Sequence, residues 1–180
     1  MPERIDAQFF NRDTKQVAID LLGKRLVRMQ NGGKEELIIN ETEAYLGQAD
    51  KACHAHKGKT DRTEVMFGPP GMLYVYLIYG MYHMLNIITR EEGEPEGVLI
   101  RGAGEHDGPG KLTQHLDVDM SFDAKPAVPE TGLWIEEGVH CTESDIITTS
   151  RIGVGYADEW AKKDLRFVFD NEARTAGSGG

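Results

Sequence analysis

The chain has 180 residues, of which 39% are apolar and 28% are charged. That length fits one domain, and the apolar content is high enough to bury a core, which excludes a largely disordered chain. No run approaches the ~20 apolar residues of a membrane helix, and the N-terminus lacks a secretory signal, so we expect an intracellular protein with no membrane partner. Cys53 and Cys141 are the only cysteines, too few for a disulfide framework or a four-cysteine zinc site.

The two halves of the chain differ in charge. Residues 1–90 hold 12 basic and 11 acidic side chains, residues 91–180 hold 8 and 19, and the total is −10. An acidic total argues against a general phosphate-coating protein, although a local basic patch can still bind nucleic acid. The segment 51–62 is one candidate patch, and a solvated loop is the alternative. Its basic and histidine residues are Lys51, His54, His56, Lys57, Lys59 and Arg62.

The first half begins with a predicted helix over residues 6–28, with Asp13 as a possible N-cap and Gly23 as a helix stop. Residues 25–30 and 36–45 alternate or run apolar around Asn31-Gly32-Gly33, which predicts a hairpin. Residues 46–72 are predicted to form a long loop, and a loop of that length in one domain is usually functional.

A second hairpin is predicted from residues 73–79 and 82–88, which are rich in tyrosine and β-branched side chains. Gly80-Met81 between them suits a two-residue type II′ turn. Further on, Gly108–Leu112 predicts a turn into a helix, and residues 116–130 predict a loop. Short strands are predicted at 98–101, 133–135, 146–149 and 165–169. We expect one domain over residues 1–170 and a disordered tail at 171–180.

Two carboxylates, Glu41 and Glu43, stand at i and i+2 on a predicted strand and therefore share a face. They indicate either an exposed polar face or, if one is desolvated, a general base acting on water. Cys53, His54 and His56 could hold a metal only with a further ligand such as Glu41 or Glu43, and their spacing matches no zinc motif. We therefore expect no metal and no cofactor.

The large side chains of the tyrosine-rich hairpin are predicted to lie in two environments, the core and the solvent. Alternation along the strand places Tyr74 and Tyr76 toward the core. Tyr79, Met81 and Tyr82 lie at or beside the turn, where large apolar side chains stay exposed unless covered. Exposed apolar wedges are what minor-groove proteins insert between base pairs.

The motifs together resemble the alkyladenine (3-methyladenine) DNA glycosylase family, in order along residues 5–169. The segments that carry the resemblance are ETEAYLG at 41–47, ACH at 52–54, RTEVMF at 62–67, GMLYVYLIYGM at 71–81, Asn86, GPGKL at 108–112, RIGVG at 151–155, EWA at 159–161 and LRF at 165–167. A dozen special positions in the same order are far more specific than any one short motif.

The resemblance implies a role for each matching position. Glu43 matches the general base that activates water for attack on C1′, and Arg101 matches an arginine that helps to hold that water. Asn86 matches the residue that crowds the guanine amino group. The walls of the pocket for an everted purine correspond to Tyr45, His54 and Tyr76.

The same resemblance implies the DNA contacts. Tyr79 matches the side chain that fills the gap left in the duplex, and Met81 and Tyr82 match groove contacts beside it. Arg62 and Lys111 match basic or anchoring positions of the family. Together with Lys57 and Lys59 from the basic segment, they are the candidate contacts to the DNA backbone.

We therefore expect an α+β domain with a curved, mostly antiparallel sheet, flanked by helices and carrying a protruding DNA-intercalating hairpin. The expected activity is hydrolytic excision of alkylated or deaminated purines from double-stranded DNA, by a monomer that flips the base. No lysine accompanies Glu43 in its motif, so we expect no lyase step.

Two alternatives remain. A damaged-DNA-binding module of the same fold could have lost catalysis through the short connection at 102–107. A metal hydrolase could use Glu41, Glu43, His54 and His56.

Overall fold

The structure, a computed structural model, describes residues 2–170 and joins short helices and longer strands through 3₁₀ turns. The helices and strands are α1 Ala7–Phe10, α2 Thr14–Asp20, β1 Arg25–Gln30, β2 Gly33–Tyr45, β3 Leu73–Ile78, β4 Tyr82–Thr89, β5 Glu96–Ala103, β6 His106–Asp107, α3 Pro109–Leu116, β7 Leu133–Glu136, β8 Ile146–Thr149 and β9 Arg166–Phe169. The tail expected at 171–180 lies outside the described residues.

The strands form one strongly curled antiparallel sheet in the order β3-β4-β5-β2-β1-β7. β6 pairs with β5, and β9 pairs with both β2 and β8. β2 is the longest of these strands and pairs with β1, β5 and β9. The expected α+β fold with a curved antiparallel sheet is thereby confirmed.

The single helix predicted over residues 6–28 is wrong, because the structure has two shorter helices there, α1 and α2. Asp13 caps α2 by accepting a hydrogen bond from the backbone N–H of Gln16 at 3.0 Å, and the helix ends at Asp20. Gly23 follows with φ of +90°, a conformation that stops a helix. Residues 25–30 instead pair with β2 and β7, because their alternating pattern suits a sheet. The hairpin predicted around Asn31 and Gly32 is confirmed.

The turn between β3 and β4 differs from the prediction. Ile78 pairs with Tyr82, so three residues lie outside the ladder. The two residues with positive φ are Tyr79 at +52° and Gly80 at +66°, and the N–H of Met81 donates to the carbonyl of Ile78 at 3.1 Å. The predicted type II′ turn at Gly80-Met81 is therefore wrong, because pairing of the flanking strands places the turn one residue earlier.

Two large apolar clusters hold these elements together, and a third, smaller one consists of Ala52, Val154 and Ala157 packed against Tyr45 and Trp160. The largest joins the sheet to α2 and α3 through side chains such as Val17, Leu21 and Leu112. The second packs the segment 53–66 against β3 and β4 through Cys53, Ala55, Met66, Tyr74 and Ile88. The long predicted loop is therefore held by its own apolar contacts. In the part of the chain from 2 to 170, no helix has the length and apolar character needed to cross a membrane.

Candidate active site

A pocket of about 440 Å³ opens beside the β3–β4 hairpin, within the range of small-molecule sites. Its wall comes from six parts of the chain: the end of β2, the segment 52–66, the hairpin, β5, the start of α3, and the segment 152–156. The lining includes Tyr45, His54, Tyr74, Tyr76, Tyr79, Asn86, Arg101, Pro109, Ile152 and Tyr156. The fold thus brings the predicted pocket residues together at one opening.

One wall of the pocket is aromatic. The rings of His54 and Tyr76 meet edge to face with centroids 4.4 Å apart, and Tyr74 lies 5.3 Å from Tyr76. Nδ1 of His54 and the hydroxyl of Tyr74 are 2.9 Å apart. Burial, with the nearby charge of Arg62, lowers the pKa of His54 to about 4. His54 is therefore a neutral imidazole at neutral pH.

Glu43 lies beneath this pocket and its side chain is 0% exposed. Its Oε1 accepts a hydrogen bond from the hydroxyl of Tyr45, and its Oε2 accepts one from the backbone N–H of Ile152, both at 2.8 Å. Nη1 of Arg101 is 3.7 Å from Oε1. Desolvation raises the pKa of Glu43, although the charge of Arg101 and these two hydrogen bonds oppose the shift.

The neighbouring carboxylate, Glu41, has different partners. Arg166 donates to Glu41 Oε2 from Nε at 2.6 Å and also from Nη2. Nε of Arg101 lies 3.7 Å from the same oxygen. The two carboxylates share a face, as predicted, and Arg101 lies between them. Arg166 holds Glu41, whereas both hydrogen-bond donors of Glu43, Tyr45 and Ile152, line the pocket.

Tyr45 connects the buried carboxylate to the pocket. Burial first, and the negative charge of Glu43 second, raise the pKa of Tyr45 well above its ordinary value. The phenol therefore stays protonated and can donate to Glu43. Tyr45 also lines the pocket, so one side chain contacts both Glu43 and the pocket space.

Asn86 is 5% exposed and lines the inner part of the pocket. Its Nδ2 donates to the carbonyl oxygen of Tyr74 at 3.1 Å. A longer contact of 3.4 Å joins it to the carbonyl of Met84. The amide is therefore held to the backbone of β3 and β4 in one orientation.

The hairpin tip is the most exposed part of the predicted site. Tyr79 is 87% exposed and Met81 is 58% exposed. Tyr82 is half-buried, and a Cβ on Gly110 of α3 would lie 2.6 Å from its ring. The glycine in the GPGKL motif therefore lets α3 pack on the base of the hairpin.

Of the predicted basic contacts, Arg62 contacts a residue that lines the pocket. Lys57 and Lys59 are exposed, and the guanidinium of Arg62 lies 5.2 Å from the centre of the Tyr76 ring. Lys111, at the start of α3, forms an ion pair with Asp107 at 3.6 Å. Nothing in these positions conflicts with contact to a polyanion, and none of them forms part of the pocket floor.

The side chains of the metal hypothesis have other partners. Nδ1 of His56 lies 2.6 Å from the carbonyl of Gln48, while His54 faces Tyr74. Glu41 and Glu43 face arginines and backbone or phenol donors. Among residues 2–170, no three His, Cys, Asp or Glu side chains are grouped as metal ligands.

Sequence reasoning missed one feature of the site, a buried ion pair between Asp50 and Arg151. Their side chains are both 0% exposed, and Nη1 of Arg151 lies 2.6 Å from Oδ2 of Asp50. Arg151 stands in a motif that carries the resemblance, but its spacing gives no sign of a partner 101 residues away.

The chain is similar to known proteins over most of its length. A family model described as "Methylpurine-DNA glycosylase (MPG)" matches residues 8–107 and 104–173. A protein of Methanocella arvoryzae is 44% identical over 184 residues, which cover 91% of this chain and 90% of the relative. A protein of Legionella pneumophila strain Corby is 45% identical over 178 residues, covering 93% and 96%.

A third relative, from Anaeromyxobacter dehalogenans strain 2CP-1, is 41% identical over 172 residues, covering 92% of this chain and 81% of its own. All three relatives carry the name "Putative 3-methyladenine DNA glycosylase". The similarity therefore includes every segment that contributes to the pocket.

Proposed function

Because the chain belongs to the methylpurine-DNA glycosylase family, whose members hydrolyse N-glycosyl bonds in DNA, we propose that it excises alkylated and deaminated purines by base flipping and water attack. The observation that carries the proposal is the position of Glu43. Its carboxylate is buried, held by two hydrogen bonds and 3.7 Å from Arg101, directly beneath an aromatic pocket.

The pocket suits a purine taken out of the stack. A base inside a duplex cannot be attacked at its glycosidic bond, so it must be everted, at a cost of a few kcal/mol that is smallest for damaged bases. An alkylated purine carries positive charge, and each aromatic face attracts a cation by about 0.5–2 kcal/mol. Tyr45 and Tyr76 offer such surfaces, while the neutral His54 adds no opposing charge.

Glu43 acts as the base in this proposal. A water held between Arg101 and Oε1 attacks C1′, and its proton passes to Glu43. The C1′–N9 bond breaks, and the purine keeps the electron pair. A cationic alkylated base thereby leaves as a neutral molecule, whereas a neutral base such as hypoxanthine leaves as an anion and must also take up a proton from solvent water. Ionised Glu43 also stabilises the positive charge that develops on the sugar.

The same lining supports a monofunctional reaction. A lyase step needs an amine that forms a Schiff base with C1′. Within residues 2–170, no lysine is among the residues that line the pocket. Water is then the nucleophile, and the product is an abasic site in an intact strand.

We propose double-stranded DNA as the partner of a single copy of this chain inside the cell. Tyr79 lines the pocket, and both Tyr79 and Met81 are exposed, which supports a role for them in entering the duplex. Tyr79 would offset part of the flipping cost by stacking in the vacated space. The short connection after β5 forms a closed turn, in which the N–H of Gly108 donates to the carbonyl of Arg101 at 3.0 Å. It therefore supports Arg101 rather than disturbing it.

The test is single-turnover release of base from duplexes that hold one hypoxanthine, one 1,N6-ethenoadenine or one 7-methylguanine, with EDTA present. We expect release by the wild type and a loss of about 1000-fold in Glu43→Gln, since a general base contributes about 10²–10⁴. Equal lesion binding without release by either protein would overturn the proposal in favour of a damaged-DNA-binding module. Activity abolished by EDTA would overturn the metal-free mechanism.

A further inference from the structure

We propose that the buried Asp50–Arg151 ion pair is a positioning unit that fixes both hydrogen-bond donors of Glu43, and this inference rests on the proposed function. Neither residue touches the pocket space. Their role is to act through Tyr45 and Ile152, the residues that hold the two carboxylate oxygens.

The pair is a two-point contact in a fully buried place. Nη1 of Arg151 donates to Oδ2 of Asp50 at 2.6 Å, and Nη2 donates to Oδ1 at 2.9 Å. A buried ion pair contributes little stability compared with apolar side chains of the same size, because desolvation offsets the attraction. Stability alone therefore does not account for two charges at this position.

The guanidinium also reaches two other segments. Nη1 donates to the carbonyl of Ala44 at 3.0 Å, and Nη2 donates to the carbonyl of Trp160 at 3.2 Å. The planar fork of arginine can make these contacts together, whereas the point charge of lysine cannot. Arg151 thus joins β2, the segment 155–162 and the loop that carries Asp50.

These contacts flank the donors of Glu43 on both sides. Ile152 follows Arg151 directly in the chain, and its N–H donates to Oε2. Tyr45 follows Ala44, its ring lies 4.9 Å from the Arg151 guanidinium carbon, and its hydroxyl donates to Oε1. A displacement of Arg151 would therefore move both donors.

Asp50 extends the unit to the pocket wall. Its carboxylate accepts from the N–H of Leu46 at 2.9 Å and from the N–H of Ala52 at 3.0 Å. Ala52 stands two residues before His54, so the same carboxylate anchors the start of the segment that carries the imidazole. The donors to Glu43 and the start of this pocket wall are therefore held by the same ion pair.

The unit also affects the proton affinity of Glu43. The groups that bear on this carboxyl are Arg101, Tyr45, Tyr76, Arg151 and Tyr156. Arg101 and Arg151 lower the pKa of Glu43, and so do the hydrogen bonds from Ile152 and Tyr45. Losing the Ile152 bond while keeping the positive charge of residue 151 should therefore raise this pKa further.

The test compares Arg151→Lys and Asp50→Asn with Glu136→Gln. Glu136 is a matched control, because it is a buried carboxylate on β7 that accepts a hydrogen bond from Trp134 at 2.9 Å and touches no residue of the pocket. Melting temperature, lesion-duplex affinity and the pH profile of single-turnover release are measured for each. A ¹³C titration of Glu43 and the shift of the Ile152 amide are followed in DNA-free protein.

We expect Arg151→Lys to raise the pKa of Glu43 and to move the acid limb of the rate profile to higher pH. Misplacing a catalytic group by about 1 Å can cost about 100-fold, so we expect a loss of about 10- to 100-fold in rate with unchanged lesion affinity. In Asp50→Asn, the Ile152 amide shift should no longer follow the ionisation of Glu43, and the rate should fall by a similar factor.

A purely structural role gives another pattern. If both variants lose melting temperature as Glu136→Gln does, yet keep the wild-type titration and acid limb, the proposal is overturned. Should Arg151→Lys fail to fold, Asp50→Asn decides the question by the same readouts. If the wild type releases no base, the proposed function fails, while the titration of Glu43 still decides the positioning role.

Discussion

The floor of the pocket and the tip of its hairpin differ in burial and in backbone conformation. At the floor, Glu43 is 0% exposed and both of its oxygens accept hydrogen bonds. At the tip, Tyr79 is 87% exposed and has a φ of +52°, a conformation that non-glycine residues adopt only at an energetic cost.

Under the proposed function, the difference follows from what each region would do, since Glu43 would take a proton and Tyr79 would enter a duplex. A carboxylate that handles a proton gains from a dry, fixed surrounding, where electrostatic interactions are strong. A side chain that enters a duplex must be accessible before DNA arrives, and the turn that presents it carries the strain. The contrast predicts that changes at the floor act on chemistry and pKa, whereas changes at the tip act on duplex DNA.

After Glu43→Gln itself, the largest effect is expected from Arg101→Gln, at the floor. The substitution removes the charge that most strongly lowers the pKa of Glu43, so that pKa rises further. Less Glu43 is then ionised at a given pH, and the acid limb of the single-turnover profile moves to higher pH. The rate near pH 7 should fall by about 100-fold, as for the loss of one preorganised donor.

Arg166→Gln is the matched control, since Arg166 binds Glu41 rather than Glu43. We expect a much smaller rate loss and no shift of the acid limb. An Arg101→Gln profile that keeps the wild-type limb would contradict the assignment of Arg101 to Glu43.

The next effect is a pH dependence of folding stability caused by His54, the half-buried imidazole of the pocket wall. The pKa of His54 is lowered to about 4 in the folded protein and is near 6.5 in an unfolded chain. The stability that depends on a neutral His54 is therefore fully present above pH 6.5. It is lost as pH falls toward 4, by at most about 3 kcal/mol, and less in practice because part of the ring is exposed. Urea unfolding at pH 6.5 and 4.5 measures it.

His54→Gln should flatten this pH dependence. His56→Gln is the control on the same 3₁₀ turn. Equal slopes in the two variants would show that His54 is not the group whose protonation destabilises the folded protein in acid.

At the tip, two smaller effects of opposite sense are expected, one on stability and one on the rate of base release. Tyr79→Gly relieves the positive φ, which should stabilise the protein by about 1 kcal/mol, while the loss of stacking, worth about 1–3 kcal/mol, should slow release from a duplex by about 10-fold. Melting temperature and single-turnover rate would then change in opposite senses. A lesion in a single strand leaves no gap to fill, so its release should be unaffected.

The smallest effect is expected from the exposed lysines. Lys57→Glu and Lys59→Glu should each weaken duplex binding and reduce the dependence of log K on log salt by up to about 0.9 for each phosphate that is no longer neutralised. Lys15→Glu, on α2, is the control of equal charge. Salt slopes that match this control would remove both lysines from the DNA surface.

Much of this arrangement could be predicted from the sequence. The strands of both hairpins follow from alternation and from aromatic and β-branched content, and Asn31-Gly32 identifies the first turn. The candidate pocket residues came from the order of motifs, and the structure places Tyr45, His54 and Asn86 around one opening. Their roles remain predictions.

Two features needed the three-dimensional structure. The turn at Tyr79-Gly80 depends on pairing between Ile78 and Tyr82, which a local turn rule does not include. The partner of Arg151 is 101 residues away along the chain, and a charged residue in a sequence carries no sign that it is buried. Both are consequences of long-range contacts rather than of local composition.

Because β2 lies between strands that are synthesised at different times, its position affects the order in which the site can form. Glu41, Thr42 and Glu43 pair with β5 on one side and with β9 on the other. β9 and Ile152 leave the ribosome long after the hairpin that carries Tyr79. A nascent or proteolytically shortened chain that ends before residue 150 therefore has the Tyr79 hairpin but lacks the Ile152 donor to Glu43 and the neighbouring strand, so the surroundings of Glu43 are completed last.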